Sequence, residues 1–423
     1  MSKFIINGKK PLSGEIDVKG AKNAALKIIP AALLSKEKIS ISNLPDIEDV
    51  SLALSLIGDL GAEVKRAKNK VEISCENIEK TELNPEIANK FRASIMFVGP
   101  LLARLGEAKF PHPGGCVIGA GGRPIDIFLE SYKSLGAEIV EGERHYHIKV
   151  KEFKGCDYFF PLISVTGTES FIMTAVLSEG VTTLKNCAME PEIKALAEYL
   201  NSQGAKIKGA GTSTITIEGV KKISAGDFTI IPDRIETGSF AIMAAAAKAE
   251  IIIKNCIPEH ILILLNIFKT IGVPFDYGND YIKIFPAKNI RSYNVKTREY
   301  PGFPTDLQSP FTLLMTQAEG SSLIHETIYD RRLMFTDMLV QMGADITMCD
   351  PHRVLVSGPS RLRGRKLISP DLRAGITLLI AALIAEGQTE IDNIYQINRG
   401  YENIDGRLRA LGADISCINS LRI

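Results

Sequence analysis

The chain has 423 residues, with 50 lysines and arginines against 49 aspartates and glutamates, a formal net charge of +1, and 45% hydrophobic residues. That length exceeds what one hydrophobic core usually fills, so two domains are expected, and the near-zero charge excludes a broad electrostatic footprint for nucleic acid or an anionic membrane. No apolar run is long enough to cross a bilayer, and Met1 to Glu15 lacks the apolar centre and cleavage site of a signal peptide, so a cytoplasmic location is expected.

In chain order, the same unit is read six times. An alanine- and leucine-rich helix is predicted over residues 24–34, 94–105, 170–177, 239–249, 311–317 and 374–385. Each is followed by a short strand and a second amphipathic run. That run ends at Leu60-Gly61-Ala62, Leu135-Gly136-Ala137, Gln203-Gly204-Ala205, Ile271-Gly272-Val273, Met342-Gly343-Ala344 and Leu411-Gly412-Ala413, at a spacing of roughly 68 to 75 residues. Helix, glycine C-cap, alternating strand is the physical reading of each tripeptide. Six units divide most simply into two α/β domains of three.

The seven cysteines form no C-x-x-C pair and the six histidines are scattered, which argues against a disulfide framework and a zinc site. Cys187 and Cys256 occupy matching places in two units, in Lys185-Asn186-Cys187 and Lys254-Asn255-Cys256, and are assigned to the core. Cys116 has no counterpart. It lies in Pro113-Gly114-Gly115-Cys116-Val117-Ile118-Gly119-Ala120-Gly121-Gly122-Arg123-Pro124-Ile125-Asp126, where dense glycine reads as a loop at a site. A dinucleotide-binding loop is excluded, because Pro124 stands where a glycine is needed and no β-branched strand precedes. A buried, inert cysteine in a glycine turn is the competing reading.

Basic residues recur at the joins between units: Lys22, Arg92, Arg123, Arg234, Arg332, Arg373 and Arg399. Guanidinium forks match carboxylate and phosphate bidentately, so several converging together point to a ligand with multiple negative groups, whereas any one alone reads equally well as a surface ion pair. Asp306, in Phe303-Pro304-Thr305-Asp306, is open to two readings, a helix cap or a base beside a ligand hydroxyl.

Lys22-Asn23, Arg92-Ala93-Ser94, Pro113-Gly114-Gly115-Cys116 with Arg123-Pro124, Pro232-Asp233-Arg234-Ile235-Glu236-Thr237-Gly238, Phe303-Pro304-Thr305-Asp306, Asp371-Leu372-Arg373-Ala374 and Arg399-Gly400-Tyr401-Glu402 together resemble the UDP-N-acetylglucosamine enolpyruvyl transferases. The match is collinear over essentially the whole chain. The resemblance implies two inside-out α/β domains, each of three βαβαββ units, with the site in the cleft between them. One domain would span residues 21–231 and carry the Cys116 loop; the other would be discontinuous, 1–20 plus 232–423. It also implies transfer of the enolpyruvyl group of phosphoenolpyruvate to the 3-hydroxyl of UDP-N-acetylglucosamine with release of phosphate, the first committed step of peptidoglycan precursor synthesis. No metal or organic cofactor is implied, and the partners are these two small molecules.

By the same resemblance, Lys22, Arg123 and Arg399 hold phosphoenolpyruvate, Cys116 donates a proton to the vinyl methylene, and Asp306 accepts the hydroxyl proton. Asn23 and Asp306 contact the sugar. Arg92, the segment Arg123, Pro124, Ile125, Asp126 and Ile127, the turn Ser164, Val165, Thr166 and Gly167, and Ile328 face the nucleotide, while Arg332 and Arg373 line the cleft. This chain departs from the family pattern in having Gly121-Gly122 as extra loop residues, Met96 in place of a tryptophan, and Leu162 in place of a lysine. Transfer to shikimate phosphate fits the Lys22-Asn23 and Phe303-Pro304-Thr305-Asp306 contexts poorly, and a non-catalytic UDP-sugar-binding paralogue has no need of a proton donor.

Overall fold

Short strands whose alternate residues are Ile or Val bury one face and expose the other, so each needs a partner layer on one side only. A computed structural model of the chain describes residues 2–112 and 125–418, and in it six small sheets meet that need in one way. Asp227–Thr229 runs parallel to Lys38–Ser42, which pairs antiparallel with Lys70–Ser74, which pairs antiparallel with Glu63–Ala67. The identical order is built by Asp157–Phe159, Val181–Lys185, Thr214–Glu218 and Lys206–Lys208. It recurs in Ser13–Asp17, Glu250–Lys254, Tyr281–Ile284 and Phe275–Tyr277, and in Val295–Lys296, Gly320–His325, Arg353–Gly358 and Asp345–Asp350. Lys366–Ile368, Gln388–Asp392, Lys3–Asn7 and Asp414–Ile418 form the fifth. The sixth keeps Glu107–Pro111, His145–Lys149 and Glu138–Glu141, with its parallel edge reduced to a bridge between Glu82 and Lys109.

The glycines of the six tripeptides all take positive φ, from 87° at Gly272 to 112° at Gly61, which turns the chain out of the helix and into the next strand. The helices, by contrast, begin earlier than their apolar runs. Asp233 accepts hydrogen bonds from the amides of Ile235 and Glu236, Asp371 from those of Arg373 and Ala374, and Ser164 from that of Gly167. Each side chain caps a first turn of mixed polarity that lies ahead of the apolar run.

Contacts group residues 2–19 with 232–418 into one unit and 20–112 with 125–231 into another. The first holds both chain ends and is called the terminal unit; the second is the inserted unit. In the terminal unit the helices Arg234–Ala246, Gln308–Met315 and Leu372–Ile384 pack on one another, and all thirteen residues of the first are buried. A helix buried all round belongs inside its domain, so the sheets form the outer layer. Buried hydroxyls are satisfied within these helices: Ser239 donates to the Ile235 carbonyl at 2.7 Å and Thr377 to that of Arg373 at 2.8 Å. The inserted unit has its own core, in which Val98–Leu105 packs on Val165–Ala175. Cys187 and Cys256 are buried in the two cores, 1% and 2% exposed, and burial pushes both thiols up to about 12.

Candidate active site

In the terminal unit, Phe303 and Leu307 anchor a short 3-10 turn, Thr305–Leu307, into the core. The turn seats closely because Gly238 faces it: a Cβ there would stand 2.5 Å from Leu307 Cδ1. Asp306, between these anchors, caps no helix. Its carboxylate accepts a hydrogen bond on each oxygen, from Arg332 Nη2 at 2.7 Å and Arg373 Nη2 at 2.7 Å. The guanidinium of Arg332 also stacks on the ring of Tyr329, 5.5 Å from its centroid.

Both arginine side chains are almost fully enclosed, while a quarter of the Asp306 side chain reaches solvent. Burial works against ionisation of Asp306, but Arg373 and Arg332 outweigh it and hold the carboxyl well below the usual carboxylate range. The group is therefore an anion at neutral pH with two of its roughly four acceptor positions taken. Sequence reasoning names Asp306, Arg332 and Arg373 and leaves their pairing undefined.

Tyr401 supports this cluster. Its hydroxyl shares a 3.0 Å hydrogen bond with Ser239 and lies 3.5 Å from Arg373 Nη1, and burial pushes the phenol up to about 12, so it stays neutral. Arg399 follows the short helix Tyr395–Asn398, is half-buried, and donates to Gln396 Oε1 at 3.2 Å. The backbone of Ile328 donates to the buried carboxylate of Glu326 at 2.8 Å.

In the inserted unit, Lys22 opens the helix Lys22–Ala31, and its ammonium meets the Asp49 carboxylate at 2.7 Å. Both are buried, so the charge is held in place by a partner on the next helix, Glu48–Asp59, which sequence spacing does not reveal. Asn23 beside it is part-exposed. Arg92 starts the 3-10 stretch Arg92–Phe97, whose Met96 is fully buried. Asp126 and Ile127 form the first turn of Asp126–Ser134, with Ile125 at its cap position. The Ser164, Val165, Thr166 and Gly167 turn packs against it: a Cβ on Gly167 would stand 2.9 Å from Ile127 Cγ2. The structure thus joins two of the segments assigned to the nucleotide. Leu162 nearby is 67% exposed. Cys116, Arg123, Pro124 and the Gly121-Gly122 pair lie outside the described residues.

A family model described as EPSP synthase (3-phosphoshikimate 1-carboxyvinyltransferase) matches residues 6–408. Among curated proteins, the chain is 42% identical to a UDP-N-acetylglucosamine 1-carboxyvinyltransferase of Koribacter versatilis, over 100% of this chain and 98% of that protein. It is 43% identical to one of Halothermothrix orenii, over 98% and 99%. Among solved structures it is similar to the enolpyruvyl transferase NikO from Streptomyces tendae, with a TM-score of 0.90 at 22% identity and 99% of both chains covered. It is also similar to EPSP synthase from Acinetobacter baumannii, with a TM-score of 0.75 at 18% identity, covering 99% and 100%. At these identities the solved structures speak for the fold, and they agree with six small sheets around buried helices. The full-length curated relatives add the branch: the chain belongs to the EPSP synthase family and, within it, to the UDP-N-acetylglucosamine 1-carboxyvinyltransferases.

Proposed function

We infer that the protein transfers the enolpyruvyl group of phosphoenolpyruvate to the 3-hydroxyl of UDP-N-acetylglucosamine and releases phosphate. The observation that carries this reading is full-length relationship, at 42% identity, to an enzyme named for that reaction. The chemistry needs a base for the hydroxyl, a proton donor for the vinyl methylene, and cations for a phosphate and a carboxylate. The hydroxyl oxygen bonds to C2 of phosphoenolpyruvate as a proton adds to C3; loss of a proton from C3 and of phosphate from C2 then restores the double bond.

Asp306 is assigned the hydroxyl proton and Cys116 the delivery of one to C3, with Lys22, Arg123 and Arg399 on phosphoenolpyruvate. Asn23 contacts the sugar. Arg92, Pro124, Ile125, Asp126, Ile127, the Ser164–Gly167 turn and Ile328 are assigned to the nucleotide end. Asp306 is a weak base while both guanidiniums clasp it. An anionic substrate that draws on Arg332 or Arg373 weakens the clasp and makes Asp306 more basic when the hydroxyl arrives. The product feeds peptidoglycan synthesis, which places the enzyme in the cytoplasm and ties it to cell shape and division. It also makes Cys116 the target of the epoxide fosfomycin.

The test is phosphate release from phosphoenolpyruvate with UDP-N-acetylglucosamine and, separately, with shikimate 3-phosphate as acceptor. Release with the first alone is expected. Release with the second alone would overturn the reading. A fosfomycin adduct located at Cys116 by mass spectrometry, formed with the nucleotide sugar present, is the companion expectation.

A further inference from the structure

Four of the six repeats finish the strand that follows the central helix in one way. Lys38–Ser42, Val181–Lys185, Glu250–Lys254 and Gln388–Asp392 run into Asn43, Asn186, Asn255 and Asn393, with φ of 53°, 59°, 54° and 57°. Asparagine tolerates this left-handed backbone better than most residues. Three of these side chains then reach across to the end of the parallel neighbour strand: Asn43 donates to the Ile230 carbonyl at 2.8 Å, Asn186 to Phe160 at 2.9 Å and Asn393 to Ser369 at 2.9 Å. The asparagine is a structural clasp.

In the repeat built on Gly320–His325, the next residue is Glu326, and φ there is not positive. The clasp passes to its neighbour. Thr327 donates its hydroxyl to the Thr297 carbonyl at 2.6 Å and its amide to Thr297 Oγ1 at 2.8 Å, at the end of the parallel strand Val295–Lys296. Glu326 is thus released from the duty that its place in the repeat carries elsewhere. It is nevertheless fully buried, and a buried carboxylate is retained only where its acceptors are used. Oε2 accepts from the Thr305 hydroxyl at 2.8 Å; Oε1 accepts from the amides of Ile328 at 2.8 Å and Tyr329 at 3.1 Å.

These three donors flank the candidate site. Thr305 precedes Asp306, and Tyr329 carries the ring under Arg332, so the contacts close a circuit from Glu326 through Thr305, Asp306, Arg332 and Tyr329 back to Glu326. Burial works against the Arg332 charge, and Asp306, Asp371 and Glu326 favour it. We propose that Glu326 is a positioning residue for the enolpyruvyl transfer: it fixes Asp306 and Arg332 relative to each other by tying the two segments that carry them to one buried carboxylate. This rests on the reading that Asp306 acts on the sugar hydroxyl.

Thr305→Val removes one tie while keeping side-chain shape, Glu326→Ala removes all three, and Glu326→Gln keeps an acceptor for the two amides. Phosphate release with both substrates saturating is measured per folded molecule, alongside Tm and amide hydrogen exchange at Ile328 and Tyr329. Displacement of a reacting group by about 1 Å costs on the order of 100-fold, so Glu326→Ala is expected to lower kcat by 10- to 100-fold and Thr305→Val by about 10-fold. KM for phosphoenolpyruvate should change less than kcat. The double variant Thr305→Val/Glu326→Ala should be no slower than Glu326→Ala, Glu326→Gln should recover most of the rate, and exchange at the two amides should accelerate in both variants that carry Glu326→Ala and in neither Thr305→Val nor Glu326→Gln. Variants with lowered Tm but unchanged kcat per folded molecule would reduce Glu326 to a fold-stabilising residue and overturn the proposal. A wild-type protein that releases no phosphate with UDP-N-acetylglucosamine would instead overturn the functional reading on which it rests.

Discussion

Two carboxylates paired with buried cations show how differently one chain can treat the same group. Asp306 faces two guanidiniums and is held ionised; Glu169 faces one ammonium, Lys27 at 3.2 Å, and burial pushes it from 4.5 up to about 7, with Lys27 opposing and Glu192 and Glu190 adding to the rise. The stability consequences have opposite signs. For Asp306, whose folded value is depressed, stabilisation is present above the ordinary aspartate range near pH 4 and is lost on acidification below it. Asp306→Asn leaves Arg332 and Arg373 enclosed without their counter-charge, so a loss of roughly 3 kcal/mol in urea unfolding at pH 7 is expected, narrowing below about pH 4. An Asp306→Asn protein as stable as wild type at pH 7 would mean that the arginines are compensated elsewhere. For Glu169, the folded protein holds a proton that the unfolded chain has released, so stability falls as pH rises from 4.5 to about 7. Glu169→Gln mimics the protonated form. Its Tm should match wild type near pH 5 and exceed it at pH 8; parallel Tm curves across that range would remove Glu169 as the titrating group.

The elements that the sequence shows most plainly are those fixed by local backbone chemistry. Gly204 illustrates this, with φ at 97° and open space where a Cβ would project, so that the only cost of a side chain there is the left-handed backbone. Gly204→Ala should therefore destabilise the inserted unit by about 1 to 2 kcal/mol with kcat and KM unchanged, read by chemical unfolding and phosphate release. A neutral result would mean that the turn relaxes to another conformation. The same local rule makes all six glycine turns legible from the spacing of the tripeptides. Helix starts are less legible, because Ser164, Asp233 and Asp371 cap first turns in which Thr166, Arg234 and Arg373 interrupt the apolar pattern. Sheet membership is the least legible. Asp227–Thr229 pairs with Lys38–Ser42 from almost two hundred residues away, and nothing in either strand's alternation specifies the other. The two repeats that lack the asparagine clasp continue from His112 and Glu326, and these lead to the Cys116 segment and to Arg332. Departure from the repeat, legible once the copies are aligned, coincides in sequence with two of the segments proposed for the reaction.

At the scale of the whole molecule, the residues named for catalysis are divided between two separately cored units. Lys22 and Asn23 belong to the inserted unit; Asp306, Arg332, Arg373 and Arg399 belong to the terminal unit. Lysines and arginines at the joins between units were legible from the chain as candidates for an anionic ligand. Partnership was not, since Lys22 finds Asp49, and Asp306 finds Arg332 and Arg373 from 26 and 67 positions away. If Lys22 and Arg399 act on one phosphoenolpyruvate, removing either leaves the developing charge under-compensated, and removing the second costs little more. Lys22→Ala and Arg399→Ala are each expected to lower kcat/KM for phosphoenolpyruvate by on the order of 100-fold or more, with the double variant well short of the product of the two losses. Tm measurements on all three keep folding separate from chemistry, and they matter for Lys22→Ala because it leaves Asp49 buried without that ammonium. A double variant whose losses multiply would show that the two cations serve different ligands.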